Sequence, residues 1–393
     1  MTKLRFITSG ESHGKALSGI MEGIPAGLGL SVDDIDPDLK RRQKGYGRGG
    51  RMKIESDEVE ILSGVRWGKT LGSPIGLLIR NRDWENWKDG MSPDSKDEGS
   101  IEPVTRPRPG HADLSGVIKY GHKDIRNVLE RSSARETAMR VALGGIAKKF
   151  LKEFGINIGS YVISIGKSKA SVRPAKLKEK DLLAIFEKAE TSEVRCPDKK
   201  AEKQMIDSID KAKSEGNSLG GVFEIFATGL PAGLGSHVQW DTRLEGRLTQ
   251  AVMGIQAIKG VELGSGFELG RKSGSEVMDE IFHAKRKGFF RKTNHAGGIE
   301  GGMTNGMPVI LRAVMKPIPT QKRPLRSVDM ITKEPLDAAY ERSDTCAVPA
   351  AGVVGEAMTA LVLADAFLEK FGGDGMDEVR RNYDSYRKYV KGF

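Results

Sequence analysis

Apolar and polar residues alternate along this chain in two rhythms. Short apolar runs at residues 4–8, 59–62, 76–79, 222–227 and 309–315, bounded by glycine, proline or charge, predict strands. Residues 133–154 follow the helical period instead. Ala138, Val141, Ala142, Ile146 and Phe150 share one face, and Ser133 with Glu136 has the spacing of a capping box. A second long helix starts near Pro349, a residue suited to a first turn, and is apolar almost all round through Phe367. Apolarity on every side predicts that it is buried at the centre. Shorter helical runs follow Asp36, ending in Lys40-Arg41-Arg42, and Asp241, over residues 242–256.

The pattern repeats itself. Gly23-Ile24-Pro25-Ala26-Gly27-Leu28-Gly29 returns as Gly229-Leu230-Pro231-Ala232-Gly233-Leu234-Gly235. Pro109-Gly110-His111-Ala112 has a looser echo in Thr293-Asn294-His295-Ala296. Arg131-Ser132-Ser133 opens a helix that ends in Phe154-Gly155, and Arg342-Ser343-Asp344 precedes one that ends in Phe371-Gly372. Landmarks recurring in the same order once, at about 200 residues, predict internal duplication rather than a solenoid. The expected architecture is α+β, with central helices sandwiched between mostly antiparallel sheets. Residues 1–393 are then a single domain of two related halves, about 1–165 and 217–373. The lysine-rich stretch 167–216 reads as an exposed helical connection between them, and a basic tail follows residue 373.

Composition narrows the class. The 393 residues exceed the roughly 250–300 that one core usually serves, which agrees with a doubled unit. Glycine, 49 of 393 or about 12% against a usual 7%, predicts many tight turns and close backbone–ligand approaches. The two cysteines, Cys196 and Cys346, have no metal-binding spacing and suit a reducing cytoplasm. The first residues lack the apolar stretch of a signal peptide, and no uninterrupted apolar run is long enough to cross a membrane. The net charge of +10 raises nucleic acid as a partner, but aromatics are only 6% and no recognition motif appears. Anion handling by a small-molecule site, without nucleic acid or membrane, is the reading favoured.

Two glycine-flanked histidines carry the candidate chemistry: Gly10-Glu11-Ser12-His13-Gly14 and Arg106-Pro107-Arg108-Pro109-Gly110-His111-Ala112-Asp113. Imidazole suits proton transfer near neutral pH, and arginine beside it suits phosphate or carboxylate. Residues 40–51, Lys-Arg-Arg-Gln-Lys-Gly-Tyr-Gly-Arg-Gly-Gly-Arg, form a flexible basic loop, either an RNA-binding surface or a clamp that closes over an anion. The amides of Ser133–Arg135 offer a second anion position at a helix start. Two phosphate-loop look-alikes fail. Gly45-x-Gly47-x-x-Gly50 lacks the strand before and helix after, and Gly64–Thr70 is one residue short of a Walker loop.

Together, Gly10–Gly14, Arg131–Thr137 and Arg342-Ser343-Asp344 with Gly355-Glu356 closely resemble the three signature regions of the chorismate synthase family. The resemblance extends to the Arg42–Arg51 loop, the His111 segment and Lys316–Thr320, covering about residues 1–373. It implies conversion of 5-enolpyruvylshikimate 3-phosphate to chorismate and phosphate, a 1,4-anti elimination that needs reduced FMN without net redox change. NADPH enters only as a reductant, some members relying on an external flavin reductase, and homotetramers are common. By this resemblance Ser12, Arg42, Arg48, Arg51, Arg108, Arg135 and Arg342 bind substrate. Ser132, Ser133, Ala134, Arg135, Gln256, Ala257, Gly301, Lys316, Pro317, Ile318, Pro319, Thr320 and Arg342 bind flavin. His13 protonates the leaving phosphate, His111 balances charge near flavin N1, and Asp344 acts through N5. The rivals are a nucleic-acid module using the glycine–arginine loop and another flavin or phosphate-lyase enzyme on the same scaffold.

Overall fold

The computed structural model describes residues 3–49, 56–172, 178–285, 288–340 and 343–393. Two antiparallel sheets enclose two long helices. The first sheet has strand order Arg5–Ser9, Ala16–Glu22, Ile75–Arg80, Glu60–Ile61. The second runs Ile258–Leu263, Val309–Met315, Gly221–Thr228, Asn157–Ile165, Ser168–Lys169. Helix Thr137–Lys152 packs on the first sheet and helix Val348–Phe371 on the second, and the two helices pack on each other. Small residues permit this. A Cβ on Gly144 would lie 2.3 Å from that of Ala357, so the helix axes approach more closely than an alanine pair allows. Helix Val348–Phe371 is long and apolar enough to cross a bilayer, but here it is buried inside the protein.

The repeated seven-residue segments make the same bonds. The Thr70 hydroxyl donates to Pro25 O (2.6 Å) and accepts from Leu28 N (2.9 Å). Thr304 donates to Pro231 O (2.6 Å) and accepts from Leu234 N (2.9 Å). Each segment is thereby fastened to a short hairpin, Val65–Thr70 or Ile299–Thr304. The first of these hairpins is the Walker look-alike, which is β structure and no phosphate loop. Helix Met376–Gly392, the basic tail, touches both turns. Met376 N donates to Ala26 O (2.9 Å), and the Tyr386 hydroxyl donates to Ala232 O (3.0 Å).

Several expectations change. Strand Asn157–Ile165 pairs with Gly221–Thr228, so the boundary expected at residue 165 falls before this strand instead. Consequently the 167–216 stretch joins neighbouring strands of one sheet rather than two halves. It is also no exposed linker. Helix Glu179–Glu190 buries Leu182 and Ala189 against Tyr161 and Phe226 on the outer sheet face, and helix Lys199–Ser214 buries Met205 and Ile209. The helix expected from residue 133 starts at Thr137, after a 3-10 turn at Ala134–Glu136 capped by Ser133. Arg131 and Ser132 end the preceding helix, Arg126–Ser132. No capping box closes, because Glu136 turns to Arg140 and to Gln256 Nε2 (2.7 Å). The helix expected over 242–256 spans only Leu244–Met253.

Candidate active site

A cavity of about 820 Å³ opens between the two sheets' loops, lined by Ser12–His13 and Ser132–Arg135 on one side and Gly254–Ala257 with Lys316 on the other. Ala350, Ala351 and Val354 of the central helix supply an apolar wall. The volume lies in the upper part of the roughly 300–1,000 Å³ range of small-molecule sites.

His13 sits on the turn between the first two strands, where Gly10 has φ 104° and a Cβ would come within 2.3 Å of Ala16 O. Arg131 ties this turn down through Gly10 O (2.9 Å) and Thr8 O (2.8 Å). Buried Glu130 accepts the His13 backbone N–H (2.7 Å) and contacts Nδ1 (2.8 Å). A carboxylate can only accept, so it fixes Nδ1–H and leaves Nε2 as the exchangeable position. The ring leans on Trp87, centroids 4.4 Å apart. His111 repeats the arrangement. Its Nδ1 lies 2.5 Å from buried Asp113, which also takes Arg108 Nε (2.8 Å) and backbone N (3.0 Å). Burial pushes the Asp113 carboxyl up, but the bond from His111 and the charge of Arg108 hold it well below the usual range.

Arginines gather opposite. Arg42 reaches Asp57 (2.5 Å), and Arg135 takes the other oxygen of that carboxylate and Asn81 Oδ1 (3.0 Å). Arg42, Asp57 and Arg135 are all buried, so two cations share one anion. Burial and the neighbouring Arg135 and Arg48 draw the Arg42 guanidinium below its ordinary value despite Asp57. Burial raises Asp57, and the two arginines more than reverse it. Arg48 pairs with Asp344 (2.8 Å), and Gly49 N donates to the same carboxylate (2.6 Å). The described part of the glycine–arginine loop therefore turns its arginines inward, against a solvated RNA-binding face.

A surplus of buried positive charge facing two oriented imidazoles suits a small anion whose leaving group takes a proton. The chorismate synthase family model matches residues 4–368. The chain belongs to the chorismate synthase family. It is 60% identical over 397 residues to a chorismate synthase of Aquifex aeolicus (strain VF5), covering 99% of each chain. It is 57% identical to that of Geobacter sulfurreducens, covering 99% of this chain and all of the relative. A solved structure titled "Crystal Structure of Chorismate Synthase" superposes with a TM-score of 0.82 at 50% identity, with 99% of both chains covered.

Of the residues expected to form a chorismate synthase site, Ser12, His13, Arg42, Arg48, Arg108, His111, Ser132, Ser133, Ala134, Arg135, Gln256, Ala257, Lys316, Ile318, Pro319, Thr320 and Asp344 line the cavity. Arg51 and Arg342 lie outside the described residues. Gly301 forms the tip of the Ile299–Thr304 hairpin, and neither it nor Pro317 is among the lining residues. Arg108 differs in kind from the other arginines: Asp113 and Thr320 occupy its donors, so it orients more than it offers. Gln256 and Ala257 fall on a turn rather than a helix, and Ala257 holds φ 64°, a strained value for a residue with a Cβ. Sequence reasoning missed Asp57, Glu130 and the role of Asp113. The only signal was an unpaired acid beside each basic or histidine motif.

Proposed function

We propose that this enzyme eliminates phosphate from 5-enolpyruvylshikimate 3-phosphate to give chorismate, a carbon–oxygen lyase reaction dependent on reduced FMN. The observation that carries the reading is one cavity holding two carboxylate-oriented histidines, an Arg42–Asp57–Arg135 cluster and Asp344. The residues present fit a flavin mononucleotide. An apolar wall suits a planar ring, the amides and hydroxyls of Ser132–Ala134 suit its polar edge, and Lys316 suits its phosphate. Gln256, Ala257, Lys316, Ile318, Pro319 and Thr320 would hold it together with Ser132–Arg135. Reduced flavin held there would supply electron density to the substrate with no net redox change. NADPH or an external flavin reductase provides the reduction.

The chain's own groups do the rest. Arg42, Arg48 and Arg135 hold the substrate's phosphate and carboxylates, each charge-assisted contact contributing about 1.5–3 kcal/mol. Glu130 holds the His13 ring through Nδ1–H, which leaves Nε2 as the position that delivers a proton to the leaving phosphate. Asp344 receives the proton lost from the ring, and His111 with Asp113 keeps charge balanced beside the cavity.

We also propose a cytoplasmic homotetramer. Two free, buried cysteines support a reducing compartment. The outer face of the first sheet supports association: Ile7 and Ile20 there are 68% and 51% exposed, whereas helix Glu179–Glu190 covers the second sheet. The test of the activity is anaerobic: full chain, reduced FMN and the enolpyruvyl substrate, with phosphate and chorismate measured. Equal amounts of both are expected. Absence of chorismate overturns the reading, and turnover with oxidised FMN alone overturns the flavin dependence.

A further inference from the structure

The lysine-rich helical stretch within the second sheet makes contacts that its packing does not require. It reaches across to the basic loop that carries Arg48. Tyr46 N donates to Glu193 O (2.8 Å), and the Tyr46 hydroxyl donates to Asp210 Oδ1 (2.8 Å) on helix Lys199–Ser214. Arg41, next to Arg42, forks onto Glu190 with Nε (2.7 Å) and Nη2 (2.9 Å). From between the helices, buried Arg195 reaches Glu356 Oε1 (3.1 Å), the carboxylate that Arg41 also takes (2.7 and 2.8 Å). Glu356 lies on the same central helix as the cavity's apolar wall. The loop thus has one end held by Arg41 and its middle held by Tyr46, both from the inserted segment.

Resting on the reading above, we propose that this inserted segment is the positioning element of the arginine loop, with Tyr46 and Asp210 its outer latch, and that it sets affinity for the anionic substrate. The first sheet has no counterpart. Where the second sheet has helices between its strands at 165 and 221, the first has only the His13 turn. The start of the loop is held within the first half by Asp57 on Arg42, and its middle, at Tyr46, is held by the insertion. Tyr46 and Asp210 are positioning residues: neither lines the cavity.

The variants Tyr46→Phe and Asp210→Ala remove the latch at an exposed helix face, where folding is spared. With reduced FMN saturating, KM for 5-enolpyruvylshikimate 3-phosphate should rise about 3- to 10-fold, the range that one lost hydrogen bond supplies. kcat should stay within about twofold, and reduced-FMN affinity, read by fluorescence, should not move. The double variant should match either single one, and Asp210→Glu should recover part of the loss. Trypsin should cut after Lys44 and Arg48 faster in both variants. Unchanged KM in both, or a parallel fall in kcat and flavin affinity, overturns the proposal. A wild type that releases no phosphate overturns the lyase reading instead. The trypsin arm then decides the latch alone, and cleavage no faster than wild type overturns it.

Discussion

The two turn-and-hairpin units share their scaffold and differ in what leaves it. In both, a threonine hydroxyl bridges a proline carbonyl and a leucine amide, and strands follow in the same order. After strand Ile75–Arg80 the first unit sends out Asn81, which steadies Arg135, and then the His111 segment. After strand Val309–Met315 the second sends out Lys316 and then Asp344. Between its first two strands the first unit carries His13, and the second carries the helices that hold the arginine loop. Backbone bonds repeat because each buried turn must satisfy its own amides and carbonyls. Side-chain chemistry is free to diverge because it begins where the strands stop.

The sharpest way to break this division is to remove chemistry and leave scaffold. His13→Ala, His111→Ala and Asp344→Ala should each lower kcat by about 10²–10⁴-fold with circular dichroism and Tm close to wild type. Turnover near the wild-type rate in any one of them, with reduced FMN saturating, removes that residue from the scheme. A matching loss of Tm would instead show that scaffold and chemistry are not separable at that residue.

Glu356 is where the two units are joined, so its removal should cost stability as well as activity. It is fully buried beneath Arg41, Lys148, Arg195 and Ser160. Burial raises its carboxyl, and the three cations outweigh burial and hold it well below the usual range. A depressed folded-state pKa contributes stability that is full above the unfolded value of about 4.3 and is lost as pH falls toward the folded one. Urea midpoints of the wild type should therefore drop below about pH 4. Glu356→Gln, which strands buried cations, should lower stability at pH 7 by about 3–5 kcal/mol and flatten that acid slope. A steep slope persisting in the variant would move the acid sensitivity to other carboxylates.

The histidine partners test whether the two proton sites are equivalent. Glu130→Gln and Asp113→Asn keep shape but remove charge, and each should lower kcat by about 10- to 100-fold, in line with about 1.5–3 kcal/mol for a bond to a charged group. A loss confined to Glu130→Gln would assign the critical proton to His13 alone. These partners also mark the limit of what the chain discloses unfolded. His13, His111 and the glycine turns were legible because local chemistry announces them, and the central helices because their apolar period is long. Glu130 was not, since it stands 117 positions from His13 and only the packing of strand turn on helix brings them together. Asp57 was hidden for the same reason, with Arg135 lying 78 positions away. The helix start at Ser133 was misjudged because Glu136 found Arg140 and Gln256 instead of the cap. Tertiary partners outbid a local motif that sequence alone credits.

The smallest effect bears on the scaffold itself. Thr70 and Thr304 are both 3% exposed and make the same two bonds, so Thr70→Val and Thr304→Val should each cost about 1–3 kcal/mol with kcat unchanged. Equality is the informative part, because valine keeps the shape and removes only the hydroxyl bridge. The double variant should lose the sum of the two within about 0.5 kcal/mol if each turn is an independent unit. Helix Met376–Gly392 is the element that could spoil this sum, being bonded to Ala26 on one side and Ala232 on the other. A shortfall or excess that disappears in Tyr386→Phe, which releases the second contact, would show that the tail couples the two turns. Additivity with or without Tyr386 would confine the helix to packing and leave the two units as separate copies of one solution to the same backbone problem.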